Sequence, residues 1–442
     1  MTEQRNKYLI PFIALTSLFF MWGFITVIVD AFVPRLKEVF ELSFAQAGLV
    51  QFAWFTAYGL ISIPAGFLVA KLSYKKGIII GLAICGLGCL LFIPAATTRM
   101  FIFFLMALFT LASGITILQV AANPFVSVLG SEESASSRLT LAQAFNSLGT
   151  AIAPIFAATF LLSDNIKSSV EIEKLTTAAK ETYYAAEAAA VQGPFLYIAL
   201  FLILLAVIFA FIKLPNILGD DSSRSYFEAF KFKNLTLGMI GIFVYVGAEV
   251  AIGSYLVDYF LSMDMDKLIP QDSFMRSIAG FISSVFSGKD ISQVDAKGIV
   301  GSFVFFYWTG AMVGRFIGSV LMSRFDPGKI LGVFAIGAIA LLLVTMNTTT
   351  YTAMWTVLAI GLFNSIMFPT IFTLAIKGLG DFKPQGSGLL CTAIVGGAFI
   401  PPMFGIFADN FGFKLAFIVL AICYLYIMYF GFKGHRTAEA TM

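Results

Sequence analysis

Apolar runs long enough to cross the roughly 30 Å hydrocarbon core of a bilayer recur along nearly the whole of this chain. A soluble fold of this length would need far more charge to wet its surface. Only 12% of the 442 residues are charged and 59% are hydrophobic, against about 25% charged in ordinary soluble domains, and the mean hydropathy is +0.91. The pattern predicts an all-α membrane protein that crosses the bilayer many times. The net charge of +3 says nothing about nucleic acid, no basic cluster supports such a partner, and none is expected; lipid is the partner that the composition demands.

Twelve spans are read at 8–33, 46–70, 77–96, 101–129, 139–162, 194–213, 235–261, 299–322, 330–346, 352–376, 387–408 and 412–432. The segment KLPNILGDDSSRSYFEAFKFKN divides six spans from six. This predicts an N-terminal six-helix bundle over 1–212, a linker over 213–234 and a C-terminal bundle over 235–442. An even number of spans puts both termini on one face. Of the 28 lysines and arginines, sixteen fall on the termini and even-numbered loops. Eleven fall on the other loops, several of them deep in long segments that carry little weight, so the termini are expected in the cytoplasm. Each half has one long segment on the opposite face, 164–193 and 262–298, expected to be partly helical and amphipathic and to lie at the surface.

The halves show faint internal similarity. IPAGFLVAKLSYKKG ends the second span and GRFIGSVLMSRFDPGK the eighth, while ANPFVSVLG ends the fourth and FPTIFTLAIKGLG the tenth. Two such pseudo-symmetric repeats suggest alternating access around a substrate held near mid-membrane.

The N-terminus resembles a signal peptide, but no small-residue cleavage site follows, so it is read as a retained first helix. Cys85, Cys89, Cys391 and Cys423 all sit in apolar segments and are expected to pack there. The single histidine, His435, lies in the polar tail. With no HExxH motif, nucleophile–base pairing or sizeable cytoplasmic domain, the sequence does not read as an enzyme or a receptor, and no cofactor is expected.

Polar residues inside the spans are therefore the informative ones. Of 25 acids only Asp30 and Glu249 fall within apolar runs, where a carboxylate is costly and marks function by default. Glu249 lies midway along its span; Asp30 lies nearer a helix end, with Pro34 and Arg35 following. Arg315 is the one basic residue inside a span, read as a structural ion pair or as a partner that tunes Glu249 and changes contacts during gating. The competition is physical: burial favours the neutral acid, a nearby guanidinium the ionised one. Gln51, Gln119, Asn123, Gln143, Asn146 and Asn364 form a second group, with 119/123 and 143/146 each sharing a helical face. Amides glue helices together, but as a set they suit a neutral, hydroxyl-rich ligand, because they both donate and accept. Trp22, Trp54 and Trp308 lie where an indole can pack on a sugar's C–H face.

The segments SLFFMWGF…D, QVAANPFVSVLG, RLTLAQAFNSLG, YVGAEVAIGSYL and FPTIFTLAIKGLG resemble the fucose–galactose–glucose:proton symporter family of the major facilitator superfamily, over nearly the entire chain. The resemblance implies a fold of two six-helix bundles, cation-coupled monosaccharide uptake and a bacterial inner-membrane location. By position, Asp30 matches the family's first-span acid, used with substrate and proton, and Gln143 and Asn146 match its sugar-contacting amides. The family's fucose carriers have a second acid where this chain has Gln119, a glutamine in place of Glu249 and asparagines in place of Val27 and Val29; an aspartate common in the superfamily is Ala70 here. The pattern is closer to the glucose/galactose branch, with the coupling carboxylate moved to the seventh span.

The expectation is a monomeric symporter for a neutral monosaccharide. Asp30, Glu249 and Arg315 carry the coupling, and Gln51, Gln119, Asn123, Gln143, Asn146, Asn364 and Trp22 bind the sugar. A proton is preferred as the coupling ion; sodium, held by Asp30 and Glu249, a passive facilitator and a drug exporter of the same fold are the alternatives.

Overall fold

In hydrocarbon no water is present to bond the backbone, so each apolar run closes its own hydrogen-bond ladder as a helix. The computed structural model describes residues 2–39, 44–98, 100–160, 175–215, 225–287 and 290–436, with side chains described at all of these except 2–7, 30–39, 44–51, 157–160, 187–191 and 287. Among the described residues, twelve helices are long and apolar enough to cross a membrane. In the first half they are Tyr8–Val29, Phe52–Leu72, Tyr74–Thr98, Phe101–Val128, Glu132–Phe156 and Gln192–Phe211. The second half supplies Lys233–Leu261, Ala296–Met322, Pro327–Asn347, Thr350–Ile376, Gly380–Phe411 and Phe413–Gly434.

Packing repeats between the halves. In the first, span 1 packs on 5, 2 on 4, 3 on 4 and 3 on 6; in the second, 7 packs on 11, 8 on 10, 9 on 10 and 9 on 12. Adding six to every member of the first set gives the second, so the two bundles are pseudo-symmetric. The bundles meet where span 2 packs on 11 and span 5 on 8, a pair of contacts that the same operation exchanges. Spans 4 and 10 are equivalent and deeply enclosed, while outward faces present apolar side chains such as Tyr197 and Phe211, 72% and 83% exposed. That inversion of soluble packing is what a lipid environment selects. Without a hydrophobic drive between helices, close contact relies on small residues. Gly149 lies directly against the Phe20 carbonyl, and this seats span 5 on span 1.

Three spans of the C-terminal bundle are broken. The eighth joins Ala296–Gly301 to Val304–Met322, the tenth joins Thr350–Asn364 to Met367–Ile376, and the eleventh joins Lys383–Thr392 to Gly396–Phe411 through a short 3-10 turn. In the tenth, Pro369 has no N–H to offer the Ser365 carbonyl four residues earlier, which leaves that oxygen free for another donor.

The long segments differ from one another. Of 164–193, residues 164–174 lie outside the described residues. The rest does not lie flat: it continues into the sixth span as one helix, Thr177–Phe211, whose 35 residues reach roughly 50 Å at 1.5 Å each. The Ala-, Glu- and Lys-rich stretch favours helix, and the helix runs on through Gly193 and Pro194 at the membrane edge. Segment 262–298 folds as expected into an amphipathic surface helix, Ser273–Ser287, which turns Met275, Ala279 and Ile282 inward and leaves Phe274 and Phe281 exposed. The linker is described only at its ends; there Tyr226 donates to the Ile63 carbonyl at 2.7 Å and wedges between spans 2 and 11.

Candidate functional site

Hydroxyl contacts close one end of the interface between the bundles. Ser136 meets Thr373 at 2.6 Å, Ser137 donates to the Ser319 carbonyl at 2.8 Å and Ser319 to the Ser137 carbonyl at 3.0 Å, and Ser387 donates to the Val120 carbonyl at 2.8 Å. All four contacts lie toward the face that carries the linker and both termini. From that floor a cavity of about 1140 Å³ widens toward the opposite face. Its walls come from both halves: Val27, Asn146, Ser147, Thr150 and Pro154 on one side, Glu249, Ser302, Trp308, Thr309 and Arg315 on the other. Ile282, Ser283 and Phe286 of the surface helix border the mouth.

The seventh span places Glu249 in this wall by running unbroken through the membrane, Lys233–Leu261. The electrostatic neighbours of its carboxylate are Arg315 and Tyr245, the latter one turn earlier. Carboxylate and guanidinium form no direct ion pair. Arg315 instead bridges the bundles: Nη1 donates to the Ser147 hydroxyl of the N-terminal half, and Nε to the Ser365 carbonyl at 3.1 Å. That carbonyl is the one Pro369 leaves free. Gly314 lets this happen, since any side chain there would strike Leu362 and Ser365. Trp308, 48% exposed, presents its indole to the cavity and packs against Gly253, one turn beyond Glu249.

The expected sugar-binding residues divide sharply. Asn146 lines the cavity, and its amide donates to the Phe19 carbonyl at 2.8 Å, tying span 5 to span 1. Gln143 is buried one turn deeper and reaches Asn123 at 3.5 Å, with Asn123 fully enclosed. Gln119 donates to the Tyr58 hydroxyl at 2.6 Å. Asn364 is fully buried at the break in span 10 and donates to the Tyr307 hydroxyl at 2.8 Å. Trp22 faces a separate pocket of about 20 Å³ among Leu18, Ile25, Leu82 and Leu118, too small for a sugar. None of Gln119, Asn123, Gln143, Asn364 and Trp22 borders the large cavity in this conformation. The side chains of Asp30 and Gln51 lie outside the described residues; the backbone of each is helical.

Hydroxyls are what sequence reading passed over. Ser147 and Thr150 follow Gln143 at i+4 and i+7, the same face that carries Asn146, and that spacing was visible in RLTLAQAFNSLGT. Thr309 and Ser302 had no comparable signal.

Two pseudo-symmetric bundles, closed at one face and open at the other around a polar cavity, define the class: a membrane transporter that works by alternating access. The comparisons agree. A family model for the Major Facilitator Superfamily matches residues 12–394. The chain is 49% identical to the glucose/galactose transporter of Brucella abortus (strain 2308), covering 99% of this chain and 97% of that one. It is 34% identical to the L-fucose-proton symporter of Escherichia coli (strain K12), covering 98% and 95%. A crystal structure of the E. coli fucose:proton symporter, FucP, superposes with a TM-score of 0.85 at 32% identity, over 98% of this chain and all of that one. A second FucP structure, described as being in the outward conformation, gives 0.86 at 33%. The chain belongs to the Major Facilitator Superfamily, in its fucose–galactose–glucose:proton symporter family. It is a multi-pass transporter and not an enzyme.

Proposed function

We propose that this protein takes up a neutral hexose of the glucose/galactose type in symport with a proton, in a bacterial inner membrane with both termini cytoplasmic. The observation that carries the reading is the cavity itself: the Glu249 carboxylate and the Arg315 guanidinium lie as neighbours in the C-terminal wall of a hydroxyl- and amide-lined space between two half-bundles. Relatives named as a glucose/galactose transporter and an L-fucose-proton symporter support the same substrate class and coupling ion.

In the open state Arg315 is occupied by Ser147 and Ser365. A proton arriving from the open face neutralises Glu249, and the sugar bonds to Asn146, Thr150, Thr309 and Ser302 while its C–H face packs on Trp308. With the carboxylate neutral, the halves close over the cavity without burying its negative charge. Opening at the other face breaks the Ser136–Thr373 and Ser137–Ser319 contacts, and Arg315 turns to Glu249 as the proton leaves. Proton and sugar favour the same closing step, which is the condition for coupling. Asp30 supplies a second carboxylate to the same cycle, as the family position implies. The transporter acts as a monomer without a bound cofactor.

The test is purified protein in proteoliposomes. An inward proton gradient is expected to drive accumulation of D-glucose or D-galactose, and a sodium gradient alone is not. Accumulation that ignores uncoupler would reject proton symport.

A further inference from the structure

Behind Glu249, on the side away from the cavity, the C-terminal bundle encloses four polar side chains from four different spans. Tyr245 comes from span 7, Tyr307 from span 8, Asn364 from the break in span 10 and Tyr424 from span 12; Tyr245 is 1% exposed and the other three are 0%. All three hydroxyls lie within electrostatic reach of the Glu249 carboxylate. One bond within the group is closed at full hydrogen-bond distance, from Asn364 Nδ2 to the Tyr307 hydroxyl at 2.8 Å, while the Tyr245 hydroxyl is directed at the Glu249 carboxylate and the Tyr424 hydroxyl at the Asn364 amide. The hydroxyls of Tyr245 and Tyr424 and the Oδ1 of Asn364 are buried with no protein partner as close as 3.5 Å.

Three such atoms converging on one spot call for an explanation. Burying a polar group unsatisfied costs about 1–3 kcal/mol, and a phenylalanine would fill the Tyr245 or Tyr424 site at nearly the same volume. The chemistry is complementary: two O–H donors and one amide oxygen acceptor surround a site that a bridging water satisfies, and such waters typically make about three bonds. Tyr245, one turn before Glu249, gives the cluster its direct line to the carboxylate.

We propose that Tyr245, Tyr307, Asn364 and Tyr424 form a water-bridged hydrogen-bond network that fixes the position and proton affinity of Glu249, so that Asn364 is a positioning residue and not a sugar ligand. The proposal rests on the reading of Glu249 as the coupling acid. The network gives the carboxylate a defined hydrogen-bonding shell on its protein side, independent of whether the cavity side holds water, sugar or neither. Besides the carboxylate itself, the charged and titratable groups that act within this cluster are Arg315 from span 8 and Cys423 beside Tyr424.

Tyr245→Phe and Tyr424→Phe test it, since each deletes a hydroxyl that closes no full-distance protein hydrogen bond and keeps the ring. A donor lost from around a carboxylate favours its protonated form, so the alkaline limb of the pH–uptake profile is expected to move to higher pH by about one unit, with sugar exchange unchanged. In difference infrared spectra, the protonated carboxyl band of Glu249, assigned by its loss in Glu249→Gln, is expected to titrate with the same displacement. A purely structural role moves neither readout. Unmoved profiles and bands in both variants, with accumulation lost in Glu249→Gln, overturn the network alone. Accumulation that survives in Glu249→Gln overturns the coupling assignment and the network together.

Discussion

The two halves are built on one helical plan but use their buried polar groups in opposite ways. In the N-terminal bundle the amides are neutral and tied down: Gln119 to Tyr58, Asn146 to the Phe19 carbonyl, Gln143 within reach of Asn123. In the C-terminal bundle the polar groups include an acid and a base that do not pair, set among three broken spans. A satisfied amide holds helices in register and has little reason to change partner. An unpaired acid beside an occupied guanidinium is bistable, and a bistable element is what a coupled transporter requires. Under the proposed cycle, the described part of the N-terminal half serves as a recognition wall and the C-terminal half as the moving charge.

The largest effect is expected from removing the distinction between halves altogether. Ser136→Cys combined with Thr373→Cys puts two thiols where the hydroxyls are 2.6 Å apart, and all four native cysteines are buried free thiols. Oxidation should join the bundles at the closed face and stop uptake and exchange alike, with recovery on reduction; transport that continues at full rate in a crosslinked sample would refute closure there. Next, Glu249→Gln should abolish accumulation against a gradient yet keep sugar counterflow, measured in the same vesicles. Arg315→Ala should then cost roughly 1–3 kcal/mol of stability, seen as a lower thermal midpoint, because a partly buried carboxylate loses its countercharge and the bundles lose a bridge. A gain in stability would show that Arg315 holds nothing.

The smaller effects probe the N-terminal wall. Asn146→Ala should raise the KM for sugar about fivefold, the loss of about 1 kcal/mol from one hydrogen bond, without altering the proton dependence of uptake. Gln119→Ala should cost about 0.6 kcal/mol of stability, the average for such bonds between membrane helices, and leave KM unchanged. A large KM effect at Gln119 would place the sugar deeper in the N-terminal bundle than the cavity observed.

Much was legible in the chain before any coordinates. Hydrocarbon leaves the backbone one low-energy option, so spans, their number and their division into two sets of six follow from where apolar runs begin and end. The rarity of charge did the same for Glu249 and Arg315: an acid in the middle of YVGAEVAIGSYL and a base in GAMVGRFIGS have no cheap structural excuse. Amides carry a weaker signal, because glue and ligand look identical in sequence. Asn146 and Asn364 are the same residue type in similar apolar surroundings, yet one borders the cavity and the other is sealed behind it.

Sequence by itself thus determined the solvent this protein lives in, its helical content, its repeat and the identity of its buried charges, since these depend on local transfer energies that each segment carries alone. Tertiary structure decided which polar residues share a space. It brought Ser147 to Arg315 across 168 positions, freed the Ser365 carbonyl for the same guanidinium, gathered Tyr245, Tyr307, Asn364 and Tyr424 from four spans, and chose which face is closed. Those are contacts between distant segments, fixed by how helices rotate and pack against one another, and no single stretch of the chain encodes them.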